Sequence, residues 1–148
     1  MSVKITYFVH GTTTDNENGL ATGWAGGELS EKGERQAENL GRLVAGKNFD
    51  AVFCSDLKRA SDSARLIFND KILVIQDKRL REINYGDFTQ KPAAVFKGNL
   101  KGFIGSPFPG GESYKDVEKR MADFCEFLKN NYNNKYIAIV AHQAPQLA

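Results

Sequence analysis

The sequence predicts an α/β fold, a three-layer α/β/α sandwich with a mostly parallel sheet, in a single domain over residues 1–148. Three observations carry this. Short β-branched apolar runs alternate with amphipathic stretches of helical period, the order that parallel sheets require. Several of those runs are continuously apolar, as in strands covered on both faces. The 148 residues, 41% apolar and 26% charged, have the size and composition of one globular domain with a full core.

Taken in order, "VKITYFV" (3–9) is short, β-rich and bounded by a polar loop, so it reads as a strand. "LSEKGERQAENLGRLVAG" follows as a helix, with Ser30 as N-cap, Ala37, Leu40 and Leu43/Val44 at helical spacing, and Gly46 at its end. "FDAVFCS" (49–55) is a second, buried strand. "DLKRASDSARLIFND" is the next helix, with Ala60, Ala64 and Ile67/Phe68 on one side, and "ILVIQ" (72–76) is a third strand. Residues 78–111 carry Gly and Pro without a sustained period and read as a loop-rich, cap-like insertion holding one short helix near 91–97. "ESYKDVEKRMADFCEFLKNNY" is a long helix with Val117, Met121, Phe124/Cys125 and Leu128 inward. "KYIAIVAH" is a closing buried strand that ends at His142.

A net charge of +2, with basic residues spread along the chain, gives no basis for binding nucleic acid or an anionic membrane, but leaves room for one small anion in a local pocket. Cys54 and Cys125 form neither a disulfide framework nor a metal motif, and each is expected to be a buried thiol in a reducing compartment. No segment reaches membrane-spanning length and no signal peptide is legible, so a cytoplasmic location is expected.

The candidate chemistry lies at strand ends, where parallel sheets bind ligands. His10 and His142, the two histidines of the chain, end the first and last predicted strands, and Ser55 leads to Arg59 from the end of another. One such histidine is ordinarily a hydrogen-bonded structural residue. Two at matching ends, with an arginine between them, point to an anion site. Phosphoryl transfer suits that set: a neutral imidazole is a competent nucleophile, a carboxylic acid of raised pKa can protonate the leaving alcohol, and cations hold the equatorial oxygens. The acid candidate is Glu82 in "RLREINYGDF", which alone would pass as a surface carboxylate.

"YFVHGTTTDN", "TGW", "LSEKGERQA", "SDLKRASDSA", "LREINYGDF", "FPGGES" and the final "IVAHQ" together resemble, in order, the histidine phosphatase superfamily that includes the phosphoglycerate mutases. The resemblance covers nearly the whole chain and implies the phosphoglycerate mutase-like fold. It implies His10 as the nucleophile that becomes phosphohistidine, Arg59 and His142 as the phosphoryl clamp, and Glu82 as proton donor. It further implies Gly11, Asn16, Thr22 and Gly23 on the substrate side, with no metal or cofactor. The partner would be a small phosphorylated substrate or phosphate. The family's mutases carry a longer insertion and His-Tyr-Gly after the acid; Ile83-Asn84-Tyr85-Gly86 here favours a phosphatase acting on a small phosphomonoester or a phosphorylated side chain. Phe88, Phe96, Phe103 and Phe108 of the insertion would select that substrate or simply pack.

Two features depart from the pattern. Val9 stands where the family carries the arginine of Arg-His-Gly, and losing one such donor costs on the order of 3 kcal/mol, about a hundredfold in rate. Arg35, Lys58, Arg79 or Arg81 could replace it, although each also reads as a solvated surface charge; Thr12, Thr13 and Thr14 could add hydroxyl donors. The chain ends six residues after His142, where family members continue through another helix and often a strand. "QAPQLA" reads as the start of that helix. The expectation is a sheet lacking one cover, with apolar surface open to self-association as a homodimer; a shortened polypeptide and an incomplete gene product account for this equally. These departures keep a second function open, a catalytically weak phospholigand-binding or regulatory protein.

Overall fold

The computed structural model describes residues 2–148. Four strands, β1 (Lys4–Val9), β2 (Ala51–Cys54), β3 (Val74–Gln76) and β4 (Tyr136–Ala141), form one sheet in the order β1-β4-β2-β3. All three pairings are parallel. The helices are α1 (Thr14–Glu17), α2 (Glu31–Val44), α3 (Lys58–Phe68), α4 (Ala94–Lys97), α5 (Tyr114–Asn131) and α6 (Gln143–Leu147).

The period-two alternation of the central strands divides the core into two halves. Val52, Cys54, Ala138 and Val140 face α2 and α3, meeting Ala37, Val44, Ala64, Ile67 and Phe68. Ala51, Phe53, Ile137 and Ile139 face the other way, onto Val117, Met121, Phe124 and Leu128 of α5. The expected α/β/α layering is therefore present. Cover on both faces holds for β2 and β4, whereas the edge strand β1 is only half covered: Ile5 and Val9 remain exposed.

Local chemistry sets the helix ends. The Ser30 hydroxyl accepts the Gly33 N–H at 3.2 Å to start α2, and Ser113 with Asp116 forms a capping box at the start of α5. Asn69, at φ 48°, closes α3 in the left-handed conformation that a short polar side chain tolerates. α2 packs so near the first loop that a Cβ on Gly33 would collide with the Thr12 backbone.

Several sequence expectations need correction. The strand read at 49–55 is confined to Ala51–Cys54, and Phe49 packs against Phe68 and Tyr136 instead. The strand read at 72–76 starts at Val74, with Leu73 exposed. Leu43, at 77% exposure, lies off the buried stripe of α2. Cys125 is exposed, not buried, because α5 buries the single line 117, 121, 124, 128, and residue 125 falls on its flank. Cys54 is buried as expected.

Residues 78–111 form an irregular insertion with 3-10 turns at Lys78–Leu80, Gly86–Phe88 and Leu100–Phe103 and the short α4. Its aromatics pack on one another. Phe103 stacks on the fully buried Phe108 at 3.8 Å between ring centroids, and Phe88 and Phe96 meet the same ring edge to face. Packing is thus the role of Phe88, Phe103 and Phe108.

Candidate active site

Because β1 and β4 are neighbours, the residues that follow them are neighbours too. The His10 N–H continues the ladder to the Ala141 carbonyl at 3.0 Å. The Tyr7 hydroxyl donates to the His142 carbonyl at 2.6 Å and accepts the His142 N–H at 3.2 Å, fixing the end of β4 against β1. The two imidazoles meet edge to face, with centroids 5.1 Å apart and planes at 61°.

His10 Nδ1 lies 2.7 Å from the Gly11 carbonyl oxygen. A carbonyl only accepts, so Nδ1 carries the proton and Nε2 keeps its lone pair. Burial, and secondarily the positive charge of Arg59, lower the His10 pKa to about 4, so the ring is neutral at physiological pH. The corner is pinned from behind: the Gly11 N–H donates to the Ser63 hydroxyl at 2.9 Å, which donates to the Arg59 carbonyl at 2.7 Å.

His142 is fully buried, its pKa is held well below the usual imidazole value by burial, and neither ring nitrogen has a hydrogen-bond partner. An unpartnered buried imidazole is costly in a folded protein. Arg59, 2% exposed, spends two donors on backbone carbonyls, Nη2 to Gly23 at 2.7 Å and Nη1 to Ala25 at 3.3 Å.

Glu82 Oε1 accepts the N–H groups of Ile83 (2.9 Å) and Ala144 (3.2 Å). Burial raises its pKa above the usual carboxylate range, against the lowering effect of those bonds and of Arg59 and Arg120. His10, Arg59 and Glu82 line a cavity of about 200 Å³ with Asn16, Thr22, Gly23, Phe96 and Lys97. His142, packed edge to face on His10, does not line this cavity, and neither does Gly11, whose backbone bonds His10 and Ser63. Larger depressions of about 680 and 660 Å³ share none of these residues and carry no comparable chemistry.

The substrate-side residues have local jobs that explain their types. Asn16 completes the capping box of α1 with Thr13, and the Thr22 hydroxyl donates to Asp15 at 2.8 Å. Gly23 sits at φ +54°, in the left-handed region that glycine adopts without strain.

The four candidate replacement cations are engaged elsewhere. Arg35 pairs with Glu31, Lys58 with Glu28 and Asp62, Arg79 with Asp77, and Arg81 with Asp56; none lines the cavity. Val9 is 39% exposed and borders a mixed depression of about 290 Å³ with His10, Thr12, Gln36, Ala37, Leu40 and Ile67. Sequence reasoning missed Lys97, Tyr85, Tyr114 and Gln143 on the wall. Gln143 could have been found from its place beside His142. Lys97 had no such signal, since only the path of the irregular insertion brings it there.

An α/β sheet with paired histidines, an arginine and a protonatable carboxyl at its carboxyl edge is an arrangement chemically able to receive a phosphoryl group. Residues 7–147 match the model of the histidine phosphatase superfamily (branch 1), and the chain belongs to that family. It is 32% identical over 143 residues to the adenosylcobalamin/alpha-ribazole phosphatase of Escherichia coli, covering 90% of this chain and 70% of that one. It is 37% identical over 135 residues to the fructose-2,6-bisphosphatase TIGAR of Xenopus tropicalis, covering 84% of this chain and 49% of that one. The structure of a putative alpha-ribazole-5'-P phosphatase from Escherichia coli superposes with a TM-score of 0.85 at 29% identity, over 97% of this chain and 75% of that one. The chain thus spans from about half to three quarters of the length of these relatives.

Proposed function

We propose that this protein is a metal-independent phosphatase that hydrolyses a small phosphomonoester or a phosphorylated side chain through a phosphohistidine on His10. The observation that carries the reading is the pinning of His10 Nδ1 to the Gly11 carbonyl, which leaves a neutral Nε2 beside an acid-bearing cavity.

In the first step His10 Nε2 attacks phosphorus and the N–P bond forms as the P–O bond to the leaving group breaks. Glu82, protonated through its raised pKa, gives its proton to the departing oxygen. In the second step the Glu82 carboxylate takes a proton from water, whose oxygen attacks phosphorus. The N–P bond breaks, phosphate leaves, and His10 and protonated Glu82 are restored. Arg59 stabilises the equatorial oxygens, Asn16, Thr22 and Gly23 border the ester group, and the unpartnered ring nitrogens of His142, packed on His10, are the second candidate donor to the phosphoryl group. The names of the relatives span a nucleotide-like ester and a sugar bisphosphate, so they support phosphatase chemistry without choosing a substrate.

Exposed Val9 favours a second reading, a phospholigand-binding protein of low activity. Hydrolysis of p-nitrophenyl phosphate in EDTA separates the two. Turnover by the parent that disappears in His10→Ala supports the phosphatase. Folded parent protein that binds phosphate but turns over neither this ester nor a panel of phosphomonoesters supports the binding protein.

A further inference from the structure

Arg120 and Glu112 lie off the cavity wall and have no role in the chemistry above, yet they form the densest polar cluster beside it. Arg120 Nη1 donates to the carbonyls of Arg79 and Arg81, both at 2.7 Å. Its Nη2 donates to the Glu82 carbonyl and to Glu112 Oε2, both at 3.0 Å, and its Nε to Glu112 Oε1 at 3.0 Å. Glu112 in turn takes the Asn84 N–H on Oε2 and gives its own N–H to the Asn84 carbonyl, each at 2.9 Å. The two side chains are mostly buried, at 15% and 17% exposure.

We propose that Arg120, oriented by Glu112, is a positioning residue that aims the carboxyl of Glu82. The carrying geometry is one peptide unit. The Glu82 carbonyl is held by Arg120 Nη2, and the N–H at the other end of the same plane, that of Ile83, binds Glu82 Oε1. In a planar trans peptide those two groups point in opposite directions, so fixing the carbonyl fixes the N–H and hence the carboxyl. Both retaining bonds of the carboxyl fall on Oε1, which leaves Oε2 for proton transfer. Residues 79–84 have no regular ladder beyond one 3-10 turn, so the guanidinium does for this loop what a sheet does for a strand. Trp24 Nε1 also donates to the Glu82 carbonyl, at 2.7 Å, but as an exposed single donor it reaches no other carbonyl of the loop.

The inference rests on Glu82 being the general acid, and the test separates the two ideas. Parent, Glu82→Gln, Arg120→Lys, Arg120→Met and Glu112→Gln are compared on p-nitrophenyl phosphate, whose leaving group needs little protonation, and on phenyl phosphate, whose leaving group needs more. Circular dichroism confirms folding; Arg120→Lys and Glu112→Gln keep the test decisive if Arg120→Met does not fold. The expected result is that each Arg120 or Glu112 variant loses about tenfold or more in kcat/KM on phenyl phosphate but little on p-nitrophenyl phosphate, as Glu82→Gln does, because kcat/KM reports the phosphorylation step, in which Glu82 protonates the leaving group, and not the hydrolysis common to both esters. Equal losses on both esters, beside a leaving-group-selective loss in Glu82→Gln, would overturn the positioning role alone. Equal losses in Glu82→Gln itself would overturn the acid assignment and this inference with it.

Discussion

At the scale of single residues, the proposed site displaces two titratable groups in opposite directions, His10 below its ordinary pKa and Glu82 above. Burial keeps His10 neutral down to about pH 4, and burial keeps Glu82 protonated above the usual carboxylate range. The kcat/KM profile against pH should therefore fall on the acid side near 4 and on the alkaline side as Glu82 ionises. Glu82→Gln should remove the alkaline limb and lower kcat/KM on phenyl phosphate by about a hundredfold or more, measurable in steady-state assays. Val9 allows a gain to be predicted. Its side chain is exposed at a strand end, so Val9→Arg removes no core packing and should raise turnover, by up to about a hundredfold if the new guanidinium reaches the phosphoryl group. Unchanged turnover would mean that the job is already done by another donor. The four candidate residues could be singled out in the sequence because each stands at or near a strand end or in a motif. Arg120 could not, since its proposed positioning role depends on three carbonyls that no residue type announces.

At the scale of elements, α3 is the piece that joins the proposed phosphate grip, Arg59, to the corner that carries the proposed nucleophile, His10. Arg59 projects from its first turn, and one turn later Ser63 pins Gly11. Ser63→Ala strands the buried Gly11 N–H and should cost about 1–3 kcal/mol in urea unfolding, with a larger loss of kcat than of substrate binding because His10 loses its backing. Normal stability together with normal kcat would remove this role. The elements themselves were legible where one face is buried, since α5 and β4 follow their periods closely. The failures lie at the margins of those faces. Leu43 and Cys125 sit one position off a buried stripe, and helical spacing does not reveal how wide the covering surface is.

At the scale of the whole molecule, the order β1-β4-β2-β3 brings His10 beside His142 from opposite ends of the chain, which no local pattern encodes. The composition of the strands made a parallel sheet legible, but not their order. Burying two neutral imidazoles also links stability to pH. The unfolded chain takes up protons near pH 6.5 that the folded chain refuses until about pH 4 at His10, so stability falls as pH drops through that window. The His10 share is on the order of 3 kcal/mol, because burial takes its pKa from the ordinary 6.5 down to about 4. Glu82 acts in the opposite sense: its contribution is present at acid pH and is lost as pH rises through its raised pKa. Urea unfolding at successive pH values should show His10→Asn with a shallower loss of stability between 6.5 and 4 than the parent, and parallel curves would contradict the buried-neutral assignment.

The proposed chemistry turns on a covalent bond to one nitrogen, His10 Nε2. It is tested by rapid quenching of the parent and of His10→Ala during turnover of a phosphomonoester, followed by intact-mass and peptide analysis under alkaline conditions that preserve phosphohistidine. The expected result is one added phosphoryl group on His10 in the parent and none in His10→Ala. Sustained turnover with no adduct at His10, or with the phosphoryl group on another residue, would contradict it.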